Sequence, residues 1–150
     1  MMLLSKSCIY GLRASILLAK DESNGFITIR DLSDELNISF HFLTKVLQKL
    51  TRSEILESFK GPNGGVKLAK PADQITFKEI VNSIDGRFYQ VDCPLGLSAC
   101  GELAPCPLHE QWEELHSSIQ NMIASVTLAE LSDRQKPGKP DLQYSAQTGS

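Results

Sequence analysis

The sequence predicts a mainly α-helical fold in which a winged helix-turn-helix, with a small two-stranded wing, is followed by a long C-terminal helix. Apolar residues recur at intervals of three and four through much of residues 3–52, as in amphipathic helices. A Gly-Pro-Asn-Gly-Gly turn at 61–65 then separates two short segments of strand character. A second long run with helical spacing covers 108–131. This order of elements predicts the architecture.

The first helix is predicted over residues 3–20 and ends before Asn24-Gly25. Lys6 and Arg13 interrupt its apolar positions and no small-residue cleavage site follows, so we do not expect a signal peptide. No stretch of the chain approaches the roughly 20 consecutive apolar residues that a membrane span needs. We therefore expect a cytoplasmic protein with no membrane partner.

Two short helices joined by a tight turn follow. Thr28 is a predicted N-cap for a helix over 29–36, and Asn37-Ile38 forms the turn. Ser39 is predicted to cap the next helix, over 40–52. In a helix-turn-helix the first helix braces the second, which lies in the major groove of DNA. We call this second helix the recognition helix.

The wing is predicted as a hairpin of strands 55–59 and 66–68 around the glycine-rich turn. A further helix is expected through residue 84, capped by Thr76, and the residues after it lack periodicity. The predicted organisation has four parts: a DNA-binding domain at 1–85, a loop at 86–107 that could hold a metal cluster, a long helix at 108–132 and a disordered tail at 133–150.

The charge of the chain is uneven. The whole chain has 15 basic and 18 acidic residues, a formal net charge of −3. Between residues 37 and 70, however, there are six basic residues and only two acidic ones. A local basic segment in an acidic protein is typical of a surface that contacts phosphates, although a solvated helix face would give the same numbers.

The residues expected to contact DNA lie near the start of the recognition helix, where the core does not need them, and in the wing. Ser, His, Thr and Lys side chains can bind base edges or phosphates, and a glycine-rich tip offers backbone N–H groups. A surface helix and hairpin with no ligand would be the alternative. The predicted set is Thr28, Ser39, Phe40, His41, Thr44, Lys45, Gln48, Lys49, Lys60, Gly61, Pro62, Asn63 and Gly64.

Three cysteines, Cys93, Cys100 and Cys106, fall within fourteen residues, in a segment rich in Gly and Pro. In a cytosolic chain this clustering favours a metal or redox site over a structural disulfide. The spacing lacks the pairs separated by two residues that zinc sites often use, and suits a bulkier iron–sulfur core. His109 and Cys8 are rival candidates for a fourth ligand. Buried thiols or a disulfide switch are the alternatives.

Several segments together resemble a known group of proteins. They are residues 5–14, the helix at 38–50, the wing at 60–65, the three-cysteine segment and Thr-Leu-Ala-Glu-Leu at 127–131. The combination is similar to the IscR/NsrR group of regulators, the Rrf2 family, over residues 1–132. The resemblance implies a homodimer formed by the long C-terminal helices, which binds palindromic promoter DNA. It also implies an iron–sulfur cluster whose state changes the affinity for that DNA.

The resemblance also suggests how the cluster would be held. Cys93, Cys100 and Cys106 match the three ligating cysteines of the family. His109 matches the IscR arrangement, in which a histidine completes a 2Fe–2S site. Cys8 instead falls where NsrR-like members place an aspartate that ligates a 4Fe–4S cluster from the partner subunit. Because all-thiolate ligation is the common 4Fe–4S arrangement, we expect Cys8 and a 4Fe–4S cluster.

The predicted function is a homodimeric transcription regulator, acting as a repressor, that senses redox state, nitric oxide or iron through the cluster. One alternative is a cluster-free regulator of the same type, controlled by thiol oxidation or by a partner protein. Another is a scaffold that carries a cluster or zinc and does not bind DNA. We do not expect an enzyme, because Asp85, His109 and His116 fit no catalytic spacing.

Overall fold

A computed structural model describes residues 4–21, 23, 25–62, 64–86 and 107–133 of the chain. The elements run in the order α1 (Lys6–Lys20), α2 (Ile29–Leu36), α3 (Phe40–Arg52), β1 (Leu56–Phe59), β2 (Gly65–Leu68), a short 3-10 turn (Ala72–Gln74), α4 (Phe77–Asp85), α5 (His109–Ser125) and α6 (Leu128–Asp133). The predicted mainly α winged helix-turn-helix is confirmed, and α3 is the recognition helix. No helix in the described part of the chain is both long and apolar enough to span a membrane.

The predicted caps define the helix-turn-helix. The Thr28 hydroxyl oxygen accepts a hydrogen bond of 3.1 Å from the Asp31 backbone N–H, which satisfies a free donor at the start of α2. Asn37 ends α2 in the left-handed conformation, with φ of 53°. Ser39 then caps α3, and its hydroxyl oxygen accepts from the Phe42 N–H at 3.5 Å. Local polar side chains therefore determine both boundaries of the turn.

The wing is an antiparallel pair whose register runs from Leu56 opposite Leu68 to Phe59 opposite Gly65. It is attached to the segment before α2 by an isolated bridge between Ile27 and Val66. The two residues exchange backbone hydrogen bonds of 2.9 Å in both directions. This bridge fixes the position of the wing relative to the helix-turn-helix.

The core lies where α1, α3 and α4 pack against each other. Gly11 of α1 makes this approach possible, because a Cβ atom there would clash with Ile84 Cδ1 and lie 3.2 Å from Val46 Cγ1. Ile123 of α5 and Leu128 of α6 are fully buried in the same core. The helices that follow the cysteine segment thus share one core with the helices that precede it.

The predicted helix over 108–131 is shorter than expected, because α5 ends at Ser125 and α6 begins at Leu128. The residues between are held in an extended conformation by α4 and the turn before it. The Phe77 N–H donates to the Val126 carbonyl at 2.9 Å, and the Leu128 N–H donates to the Ile75 carbonyl at 2.8 Å. These long-range backbone bonds replace the helical ones and interrupt the helix.

Gly65 provides a test of the wing attachment. A Cβ atom there would clash with the backbone carbonyl of Ile27, which cannot move without breaking the bridge. We expect Gly65→Ala to lower the free energy of unfolding by about 2 kcal/mol, as measured by urea denaturation. Gly25→Ala is the matched control, because its nearest contact would be an ordinary 3.6 Å from Ser23 Oγ. Equal stability of the two variants would contradict this account.

Candidate nucleic-acid interface

An open groove lies between the recognition helix and the wing. Its walls combine polar side chains, backbone of the wing tip and two exposed aromatic rings. The lining residues are Thr28, Ile29, Arg30, Phe40, Thr44, Leu47, Gln48, Thr51, Ser58, Phe59, Lys60, Gly61, Pro62, Gly64, Gly65 and Val66. A groove with donors on both sides and apolar rings between them can hold the edge of a nucleic-acid strand.

The groove brings together eight of the residues that the sequence singles out, from α2, α3 and the wing. These are Thr28, Phe40, Thr44, Gln48, Lys60, Gly61, Pro62 and Gly64. Ser39, His41, Lys45 and Lys49 are exposed but do not line it. Asn63 lies outside the described residues. The groove therefore contains the wing and one face of the recognition helix.

Some of these side chains are already used by the fold. The hydroxyl groups of Thr28 and Ser39 cap helices, as described above. The Thr44 hydroxyl donates to the Phe40 carbonyl at 2.7 Å, so Thr44 can offer DNA only an acceptor oxygen in this arrangement. Gln48 is exposed, and its side-chain amide offers the groove both donor and acceptor groups.

Arg30, Ser58 and Phe59 line the groove but were not predicted from the sequence. Arg30 is exposed on α2, the helix expected only to brace its neighbour. Phe59 leaves 57% of its surface exposed and lies against Phe26, with ring centroids 5.6 Å apart. Phe59 could have been predicted from the sequence, because it is an aromatic residue at the end of a wing strand, where the core does not need one.

The end of α4 is hydrogen-bonded to the recognition helix. The Ser83 hydroxyl donates to the Lys49 carbonyl at 3.1 Å, near the C-terminus of α3. It also lies 2.8 Å from the hydroxyl of Ser53, the C-cap residue of α3, whose backbone N–H bonds to the same Lys49 carbonyl. Because Ser83 is three residues before Gly86, this contact joins α3 to the chain that leads into the cysteine segment.

Asp85, the last residue of α4, is bonded to the start of α1. One carboxylate oxygen accepts from the Ser5 N–H at 3.0 Å, and the other accepts from the Ser5 hydroxyl. The Ser5 hydroxyl oxygen in turn accepts from the Cys8 N–H at 3.1 Å. The last turn of α4 therefore contacts α3 through Ser83 and α1 through Asp85.

Cys8 lies in the core and is fully buried. Burial, reinforced by the negative charge of Asp85 and by a hydrogen bond to it, raises the pKa of the Cys8 thiol to about 12. Cys8 is thus one of the core side chains of the fold.

The other candidate ligands lie at or beyond the edge of the described residues. Cys93, Cys100 and Cys106 are outside them. His109 is the first residue of α5; its side chain is 28% exposed and its Nε2 atom is 3.6 Å from Glu113 Oε1. Within the described ranges, no group of three or more Cys, His, Asp or Glu side chains converges on a metal position.

Comparison with known proteins gives one family. The sequence model of Rrf2, described as an iron-dependent transcriptional regulator, matches residues 4–134. A protein of Neisseria meningitidis named as an HTH-type transcriptional regulator is 32% identical over 130 residues, which cover 86% of each chain. The HTH-type transcriptional regulator IscR of Cronobacter sakazakii is 27% identical over 127 residues, covering 85% of this chain and 78% of that protein.

Solved structures share the fold. CymR of Bacillus subtilis, the global cysteine regulator of that organism, superposes with a TM-score of 0.76 at 24% identity, and the match covers 91% of this chain and all of that one. CymR of Staphylococcus aureus gives a TM-score of 0.70 at 26% identity, covering 86% of this chain and 97% of that one. The proteins that match in sequence and in fold are regulators of transcription and not enzymes.

Proposed function

Because the chain belongs to the Rrf2 family of DNA-binding transcription regulators, we propose that it is a homodimeric repressor whose affinity for promoter DNA depends on an iron–sulfur cluster. The observation that carries this proposal is the position of the last turn of α4. Its Ser83 and Asp85 bond to α3 and α1, and the three clustered cysteines follow it in the chain. A conformational change in that segment would be transmitted to the recognition helix through these contacts.

The donor set suits an iron–sulfur cluster. Cys93, Cys100 and Cys106 would supply three thiolates, and His109 the fourth ligand. His109 is preferred to Cys8, because it is partly exposed and three residues after Cys106, whereas the Cys8 side chain is fully buried in the core. With a histidine ligand we propose a 2Fe–2S rather than a 4Fe–4S cluster. Such a cluster would supply redox chemistry and sensitivity to oxygen, nitric oxide and iron supply.

The residues of the chain itself would transmit the state of the cluster. The cysteine segment connects α4 to α5 in the chain, and a cluster bound to it would restrict the orientation of α4. Ser83 then holds the C-terminus of the recognition helix, and Asp85 holds the N-terminus of α1. A dimeric regulator needs its two recognition helices about one DNA turn apart. Release of the segment would allow α4 to move and would shift the equilibrium between the two arrangements.

A second copy of the chain is proposed to cover α5. Leu108, Leu115 and Met122 are large apolar side chains that are exposed by 49%, 55% and 52%. They recur every seven residues, so they form one stripe along the helix. Burial of this stripe against its counterpart would produce a symmetric pair of DNA-binding domains.

The stripe provides a test of dimerisation. We expect Leu115→Glu with Met122→Glu to raise the dimer dissociation constant at least about 30-fold, because each charge would be buried at the interface. Sedimentation equilibrium measures this constant. Ser117→Glu is the control, because Ser117 is an exposed α5 residue that does not share the seven-residue spacing of the stripe. A monomeric wild type, or a double variant that dimerises as tightly as the control, would contradict the proposal.

Anaerobic purification tests the cluster and its fourth ligand. Iron and sulfide are counted, and the visible spectrum recorded, for wild type and for Cys93→Ala, His109→Ala, Cys8→Ala and His116→Ala. We expect Cys93→Ala and His109→Ala to lose iron and visible absorbance. Cys8→Ala and the control His116→Ala, which removes the next histidine of α5, should keep both. Loss in Cys8→Ala with retention in His109→Ala would assign Cys8 instead, and a colourless wild type would refute the cluster.

A cluster-free regulator is the second candidate. It is favoured by the likeness to Staphylococcus aureus CymR, which has also been solved in an oxidised form and is 26% identical to this chain. In that case the clustered cysteines would respond by thiol oxidation. The spectrum described above separates the two, because a colourless wild type whose DNA affinity changes reversibly with a thiol oxidant is the outcome expected of this candidate alone.

A further inference from the structure

The groove between the recognition helix and the wing has an unusual charge distribution. Arg30 and Lys60 line it, and no Asp or Glu does so within the described part of the chain. The chain as a whole carries more acidic than basic residues, 18 against 15. Among the described residues neither Arg30 nor Lys60 takes part in an ion pair. Two exposed cations in a groove free of carboxylates form a site for a polyanion.

Arg30 is held in position without being neutralised. Its guanidinium carbon lies 5.2 Å from the centre of the Phe40 ring. Phe40 is the first residue of the recognition helix, and 37% of its surface is exposed. A guanidinium held over an aromatic face loses side-chain freedom but keeps its charge and its N–H donors. The fold thus prepares Arg30 to bind an oxyanion.

The elements that supply the charges indicate what the oxyanion is. Arg30 comes from α2 and Lys60 from the wing, whereas the recognition helix contributes Thr44 and Gln48 to the same groove. A helix in the major groove has a phosphate strand along each side and base edges in front of it. Cations from the neighbouring elements therefore meet the phosphates.

We propose that Arg30 binds a phosphate of the DNA backbone and that Phe40 is a positioning residue for it. This inference rests on the DNA-binding function and is independent of the cluster. The guanidinium can donate two parallel hydrogen bonds to one phosphate, which a lysine ammonium does not reproduce. The contact adds affinity on every sequence and fixes the orientation of α3 on the duplex.

The test measures DNA affinity as a function of salt concentration. The probes are a duplex of about three helical turns selected from a random pool with wild-type protein, and a random-sequence duplex of the same length. We expect Arg30→Gln to weaken binding to both probes by a similar factor, about tenfold near 0.15 M salt. The slope of log affinity against log salt concentration should fall by about 0.9 for each lost phosphate contact.

Three further variants complete the test. Arg30→Lys should recover part of the affinity, because the charge remains. Phe40→Leu should weaken binding in the wild-type background but have little further effect beside Arg30→Gln, as expected for two residues that act together. Arg52→Gln removes the same charge from the far end of α3, outside the groove, and should leave affinity and salt slope nearly unchanged.

The proposal is overturned by any of three results. One is that Arg30→Gln binds both duplexes as tightly as Arg52→Gln does. Another is that Arg30→Gln loses affinity only for the selected duplex, which would mean that Arg30 contacts bases and not phosphates. Additive effects of Arg30→Gln and Phe40→Leu would remove the positioning role of Phe40. Thermal unfolding of each variant shows whether the fold is intact, which is expected because Arg30 is exposed. A wild type that binds neither probe would instead refute the DNA-binding function itself.

Discussion

The close packing of three helices at Gly11 determines how the rest of the molecule is arranged. Without a side chain at this position, α1 admits Ile84 of α4 and Val46 of the recognition helix to the same point. Because protein interiors are packed as densely as organic crystals, α4 cannot move at this contact without displacing the recognition helix. Ser83 and Asp85 add hydrogen bonds to α3 and α1 at the same end of α4. Packing and polar contacts therefore couple the same elements.

The interface for DNA is built on this frame. Caps at Thr28 and Ser39 set the angle between α2 and α3, and the bridge between Ile27 and Val66 places the wing beside them. The result is a groove with cations and without carboxylates, in a chain whose net charge is negative. Local charge and not net charge makes the protein suited to a nucleic acid. In the sequence, the cysteine segment follows α4 directly.

The sequence predicted those features that depend on neighbouring residues. Helix caps, the turn at Asn37 and the glycine-rich hairpin are determined within a few residues, so periodicity and turn chemistry suffice to locate them. The break after α5 was missed because it depends on backbone hydrogen bonds from Phe77 and to Ile75, some fifty residues away in the chain. The role of Arg30 was missed for a similar reason, since its partner Phe40 belongs to the next helix. The burial of Cys8 beside Asp85 is likewise a tertiary property.

The coupling through α4 is tested most directly by the DNA affinity of the cluster-loaded and cluster-free forms of Ser83→Ala with Asp85→Asn. This double variant removes the hydrogen bonds of Ser83 and weakens those of Asp85, while the proposed cluster ligands remain. Ser118→Ala, which removes a comparable hydroxyl from α5, is the control. The account predicts that the ratio of the two affinities falls toward one in the double variant and stays at the wild-type value in the control. A double variant that binds its cluster and keeps the wild-type ratio would contradict it.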